Sequence, residues 1–222
     1  MESTLELKVQ ERSIWIGSGH IDLEGNLSVP EGARAIVLFA HGSGSSRHSP
    51  RNRSVAQQLN QAGFATLLFD LLTADEEQTD KQKRLLRFNI NFLAERLIDA
   101  TEWVAQNPDT HKLKIAYFGA STGAGAALVA AAELPEAIGA VVSRSGRPDM
   151  AESSLPKVQA PTLLIVGGND TQVIEINERA LPQLQVEKKL EIVPGATHLF
   201  EEAGALEQVV RLAHDWLVQY LK

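Results

Sequence analysis

Three loops of this chain hold residues that could act together as a nucleophile, a base and an acid. Gly119-Ala120-Ser121-Thr122-Gly123 follows an apolar run, Ile115-Ala116-Tyr117-Phe118, and precedes an alanine-rich run. A Gly-x-Ser-x-Gly sequence between a strand and a helix makes a sharp, strained turn that projects one hydroxyl into a cleft. The residues two positions either side of the serine must be small, or strand and helix collide. The hydroxyl then lies at a helix N-terminus, where backbone N–H groups and the helix dipole favour developing negative charge. A serine hydroxyl is a weak nucleophile at neutral pH and needs a neighbouring base, itself oriented by a carboxylate. Asp170 closes the apolar run 162–166 through Gly167-Gly168-Asn169, and His198 follows the run 190–193 through Pro194-Gly195-Ala196-Thr197. Both fall just past the C-terminal ends of expected strands, the edge at which open parallel sheets bind ligands. The chain order is serine, acid, histidine.

A fourth loop supplies donors for an oxyanion. The apolar run 35–40 leads directly into His41-Gly42-Ser43-Gly44-Ser45-Ser46. Small residues there let backbone N–H groups come close to a substrate oxygen. The expected donors are the N–H of Thr122 and the N–H of Ser43, with Gly42 or Gly44 as substitutes. The loop is a poor phosphate cradle, because no Gly-Lys-Ser/Thr follows and the Gly-x-Gly-x-x-Gly spacing is absent.

Other polar residues compete for roles. Asp149, after the preceding strand, and Glu175 are rival acids, but Gly167-Gly168 gives Asp170 the tighter exit from its strand. His41 is a candidate substrate contact, and its alternative is to brace the oxyanion loop by hydrogen bonding. His48 follows the same loop, whereas His20, His111 and His214 fall away from the expected sheet edge. No His-x-x-x-His or His-Glu-x-x-His pair is present, so no metal site is expected. Arg47, Arg51 and Arg53 cluster after the oxyanion loop, and Arg144 and Arg147 follow the run 138–143. Arg144 is a candidate for pairing with an acidic group on a substrate. The alternative for these arginines is pairing with Asp70, Asp75 or Asp149.

Positioning these groups takes alternating strands and helices. Strands are expected over 35–40, 65–69, 114–118, 138–143, 162–166 and 188–193. Most are apolar without alternation, as in strands buried on both faces. Helices are expected over 54–62, 84–106, 123–133, 173–181 and 206–221. Leu86, Ile90, Leu93, Leu97, Ala100 and Val104 recur at three- and four-residue intervals, the buried stripe of one such helix. Ahead of them, 4–9, 13–16 and 20–29 read as antiparallel edge strands with turns at Gly17 and Gly25. The segments 71–83 and 144–161 read as long loops, too short for a cap domain. The reading is one α/β domain over 1–222: a mostly parallel sheet with helices on both faces, antiparallel N-terminal strands and no cap.

Composition sets the outer bounds. The chain has 222 residues, 44% hydrophobic and 22% charged, with a formal net charge of −7. That balance argues against nucleic acid or an anionic membrane as partner. Zero cysteines exclude disulfides and cysteine catalysis and are compatible with a cytoplasmic location. The first residues lack the basic and apolar regions of a secretory signal.

With these four loops in this order, the chain resembles the α/β-hydrolase family, and within it the serine-nucleophile members of the dienelactone hydrolase-like group. The carriers are His41 to Gly44, Gly119 to Gly123, Gly167 to Asp170 and Gly195 to His198. The resemblance implies a cofactor-free serine hydrolase of carboxylic esters, with Ser121, His198 and Asp170 acting through an acyl-enzyme on a small molecule. A lactone, thioester or small amide is the alternative bond. A non-catalytic binding module on the same scaffold is the alternative from another class. A homodimer is compatible with the sequence.

Overall fold

The apolar runs become the centre of one eight-stranded sheet. The computed structural model describes residues 9–221. Two strands, β1 (Glu11–Ser18) and β2 (Ile21–Ser28), form an antiparallel hairpin. They are followed by β3 (Ala35–Ala40), β4 (Ala65–Phe69), β5 (Lys114–Ala120), β6 (Ile138–Arg144), β7 (Thr162–Gly167) and β8 (Lys188–Val193). The spatial order is β1-β2-β4-β3-β5-β6-β7-β8. β2 pairs antiparallel with β4, and every later pairing is parallel. The strands β3, β4 and β7 are buried at every residue, in keeping with a composition that is apolar apart from Thr66 and Thr162.

Among the described residues, six helices cover the two faces: α1 (Pro50–Gln61), α2 (Ala74–Lys83), α3 (Ile90–Gln106), α4 (Thr122–Glu133), α5 (Thr171–Ala180) and α6 (Ala205–Leu221). One core joins α1 and α6 to the sheet through Val55, Leu59, Val142, Val209 and Leu217. The other joins α3 and α4 to the opposite face through Leu93, Leu97, Leu128 and Tyr117. In α4, all residues except Glu133 are buried, and the alanines and glycines let this helix lie close to the strand it follows. The Tyr117 hydroxyl is fully buried and bonds to Thr101 Oγ1 at 2.6 Å, while Thr101 donates to the Leu97 carbonyl at 2.8 Å. Thr101 has one proton and spends it on Leu97, so Tyr117 is the donor to Thr101. Thr101→Val should strand the phenol and lower stability by about 1–3 kcal/mol. Urea denaturation of the two proteins measures it.

The sequence expectations shift in four places. The strand expected over 4–9 falls on positions of which 4–8 lie outside the described residues. Gly17 and Gly25 are inside strands, and the hairpin turns at Gly19, whose φ is +62°. Gly25 is there because a Cβ would sit 3.0 Å from Ile14 Cδ1 and 3.3 Å from Leu67 Cδ1. The segment read as a loop over 71–83 contains α2, begun by a capping box in which Thr73 and Glu76 satisfy each other's backbone N–H. The helix expected over 84–106 starts at Ile90, because Arg84 takes the left-handed conformation that ends α2 and Asn89 caps the restart. The segment 144–161 holds only short 3₁₀ turns. Among the described residues no cap domain is inserted, and no helix is long and apolar enough to cross a membrane.

Candidate active site

Ser121 sits at the turn between β5 and α4 with φ +51° and ψ −119°. A non-glycine residue reaches that conformation only when its surroundings dictate it. Here they do. The Ser121 N–H donates to the Arg144 carbonyl at 3.1 Å, and the Ser121 carbonyl accepts from Ala124 and Arg147, each at 3.1 Å. Both flanking glycines are required. A Cβ on Gly119 would lie 2.4 Å from Ala124 Cα, and one on Gly123 would lie 2.2 Å from the Ala40 oxygen. Thr122 begins α4, so its N–H belongs to the set without an intrahelical partner.

Asp170 and His198 come from neighbouring loops that are tied together. His198 Nδ1–H donates to Asp170 Oδ2 at 2.6 Å, which leaves Nε2 on the far side of the ring. Asp170 stands at the N-cap of α5 but makes no capping bond, because its carboxylate is turned to the histidine. The Asn169 N–H donates to the Ala196 oxygen at 2.9 Å, and Asn169 Nδ2 donates to the Gly195 oxygen at 2.8 Å. A Cβ on Gly167 would meet the Ala196 and Thr197 oxygens at 2.5 and 2.6 Å. Glu202 accepts from the Thr197 N–H at 3.0 Å, and hydrogen bonding from the Thr197 side chain, then from its backbone, holds the carboxyl below the usual range. Asn169 and Glu202 had no recognisable signature in the sequence, since their partners are backbone atoms of a folded loop.

The oxyanion loop lies over the elbow. A Cβ on Gly42 would stand 3.2 Å from Ser121 Cβ. The Ser43 N–H donates to Thr122 Oγ1 at 2.8 Å, so the expected donor is engaged by the hydroxyl of the residue that carries the other expected donor. His41 braces this loop. Its Nδ1 bonds to the Gly42 carbonyl at 3.0 Å and its Nε2 accepts from the Leu71 N–H at 3.0 Å. Both ring nitrogens are engaged by backbone groups, as in the bracing alternative for His41.

Burial lowers the His41 pKa below its ordinary value of 6.5, opposed by the Gly42 carbonyl and the charges of Asp70 and Glu77. The unfolded chain therefore binds this proton more readily than the folded one. The His41 contribution to stability is whole above about pH 6.5 and is lost as pH falls toward the folded value, at no more than about 1.4 kcal/mol per pH unit. Urea midpoints from pH 8 to 5 should fall more steeply for the wild type than for His41→Gln.

The rival residues are accounted for. Asp149 is held by Arg147 in a two-bond ion pair at 2.8 and 2.7 Å, and Glu175 is on α5 away from the histidine. Arg47 pairs with Asp70 and Glu24. Arg144 is different. It is 6% exposed, and among the described residues its one side-chain bond is from Nη2 to Asn52 Oδ1 at 3.3 Å. Among the described residues no cluster of three or more His, Cys, Asp or Glu side chains is arranged to hold a metal.

A parallel sheet in this strand order, with helices on both faces and a strained serine turn after β5, defines an α/β-hydrolase fold. The chain belongs to the dienelactone hydrolase family, whose sequence model matches residues 23–218. It is 61% identical to a dienelactone hydrolase from Anabaena variabilis ATCC 29413, with a TM-score of 0.95 over 97% of this chain and 100% of that one. Est1E from Butyrivibrio proteoclasticus shares the fold at 18% identity, with a TM-score of 0.79 over 94% of this chain and 98% of that one. A Mycobacterium tuberculosis protein named as a putative phosphoribosyl transferase is 55% identical over 221 residues, covering 100% of this chain and 49% of that protein. The chain spans about half the length of the curated relatives it matches first.

Proposed function

We propose that this protein is a serine hydrolase of carboxylic esters. The observation that supports the reading is the His198–Asp170 pair, bonded at 2.6 Å on the loops after β7 and β8, in a sheet whose β5 ends in the strained Ser121 turn. Ser121 Oγ bonds to the ester carbonyl carbon as its proton passes to His198 Nε2. The carbonyl π electrons move to oxygen, where the Thr122 and Ser43 N–H groups hold them. The Thr122 hydroxyl ties these two donor segments together until the substrate oxygen takes its place on the Ser43 amide. Collapse expels the alcohol with the proton from His198. Water then repeats the sequence and releases the acid. Asp170 stays ionised and holds the histidine tautomer. No metal or organic cofactor is needed.

A lactone is the second reading, supported by the family's name. It is an internal ester, and the same steps open it. The absence of cysteine suits a cytoplasmic setting.

A fluorophosphonate tests the site directly. Peptide mass spectrometry should find the adduct on Ser121, and Ser121→Ala and His198→Ala should abolish it. A folded wild-type protein that stays unlabelled, or an adduct elsewhere, would overturn the assignment.

A further inference from the structure

The arginine beneath the elbow has an unmet electrostatic demand. Arg144 ends β6, in register with Ala120, and its carbonyl holds the Ser121 N–H. Ala140 and Val142 face the α1 and α6 core, and strand alternation puts Arg144 on the same side. There its Nη2 reaches Asn52, the third residue of α1, while its Nε and Nη1 are buried without a hydrogen-bond partner. Arg51, one residue earlier on α1, also has a buried Nε with no partner. Its Nη1 reaches Glu201 at 3.3 Å, on the segment after His198, and that carboxylate is largely exposed. Of the two guanidinium groups, only Arg51 has an acid beside it, and that acid is largely solvated.

The helix makes the imbalance worse. α1 carries no acid in its first turn, only Arg51 and Arg53, at the end where the dipole already disfavours cations. Arg53 is taken by Glu11. Burial and the neighbouring Arg51 push the Arg144 pKa down to about 10, so the group stays charged at neutral pH. A buried charge without a counter-charge is costly and is retained where an anion completes it.

We propose that Arg144 and Arg51 form the binding site for a phosphate group carried by the substrate. Three unpartnered nitrogens, carrying four N–H donors between two neighbouring guanidinium groups, suit an anion with three oxygens, whereas a carboxylate saturates a single plane. Arg144 lies on the strand next to the serine, so the anionic group is held a few bonds from the ester carbonyl. Arg51, about one-third exposed, is the open side. The inference rests on the serine esterase reading for the word substrate, but the anion site is measurable without turnover.

Inorganic phosphate is the first probe. It should bind the wild type by calorimetry and raise its melting temperature. Affinity should fall at least tenfold in Arg144→Gln and in Arg51→Gln. Arg51 is partly exposed, so its variant folds even where removal of Arg144 disturbs the core. The second probe is a set of 4-nitrophenyl esters: acetate, hydrogen succinate and 3-phosphonopropanoate. The kcat/KM should be highest for the phosphonate, and each arginine substitution should reduce it at least tenfold more than it reduces the acetate rate.

Wild type that neither binds phosphate nor melts later in its presence overturns the proposal, and so does binding that survives both substitutions. Preference for succinate over the phosphonate overturns the phosphate assignment. Arginine-dependent phosphate binding in a protein that hydrolyses none of the esters supports the anion site and defeats the esterase reading alone.

Discussion

Asp170→Asn should lower kcat on a neutral activated ester by about 10⁴-fold while leaving the far-ultraviolet circular dichroism unchanged. The Asp170 carboxylate accepts from His198 Nδ1–H at 2.6 Å. Asparagine keeps the shape but loses the charge, and its amide can offer N–H where the ring also offers N–H. The imidazole then relaxes to the tautomer protonated on Nε2, which cannot take the serine proton. Helix α5 should not suffer, because Asp170 makes no capping bond and asparagine is as good an N-cap. Initial rates and circular dichroism on the same preparation separate chemistry from folding. A fall of less than tenfold would remove Asp170 as the orienting acid.

Gly123→Ala should both unfold the protein more easily and slow it. The new methyl would stand 2.2 Å from the Ala40 oxygen and 2.5 Å from the His41 oxygen, both backbone atoms. Alanine is the better helix former by about 1 kcal/mol, so propensity alone would stabilise α4. Overpacking against a fixed strand end costs about 3 kcal/mol and decides the sign. The net loss should appear as a fall of several degrees in melting temperature. The only relief is for α4 to retreat from the end of β3, which separates the Thr122 amide from the Ser43 amide. The kcat should therefore drop more than KM rises. A variant as stable and active as the wild type would show that the strand and helix do not approach as closely as the elbow requires.

The elements that position the site were legible because they are buried on both faces. β3, β4 and β7 are apolar apart from Thr66 and Thr162, and the break into Gly-rich loops marked the ends of β3 and β7. The serine turn was legible because Gly119 and Gly123 are steric necessities. What the sequence concealed depends on contacts between distant residues. The polar helix α2 has almost no apolar face, and its only local cue is Thr73 followed by Glu76. The periodic leucines hid the break at Arg84, since Leu86 continues the stripe across a gap that has no helix. Asn169 and Glu202 bond to the backbone of a loop that exists only when folded. The isolation of Arg144 was also invisible. Asp149 is near it in sequence, but in space that acid belongs to Arg147.

The loops that carry the proposed acid and base, Asp170 and His198, are fastened to each other through Asn169 and the close approach at Gly167, whereas the serine stands on a different strand and helix. The machinery is therefore modular in descent. The elbow constrains its neighbours to be small but places no such demand on the nucleophilic atom itself. A lineage built on this scaffold can exchange oxygen for sulfur at that one position and keep the acid–base pair intact. Its chemistry can diverge by single substitutions without an unfolded intermediate in its history.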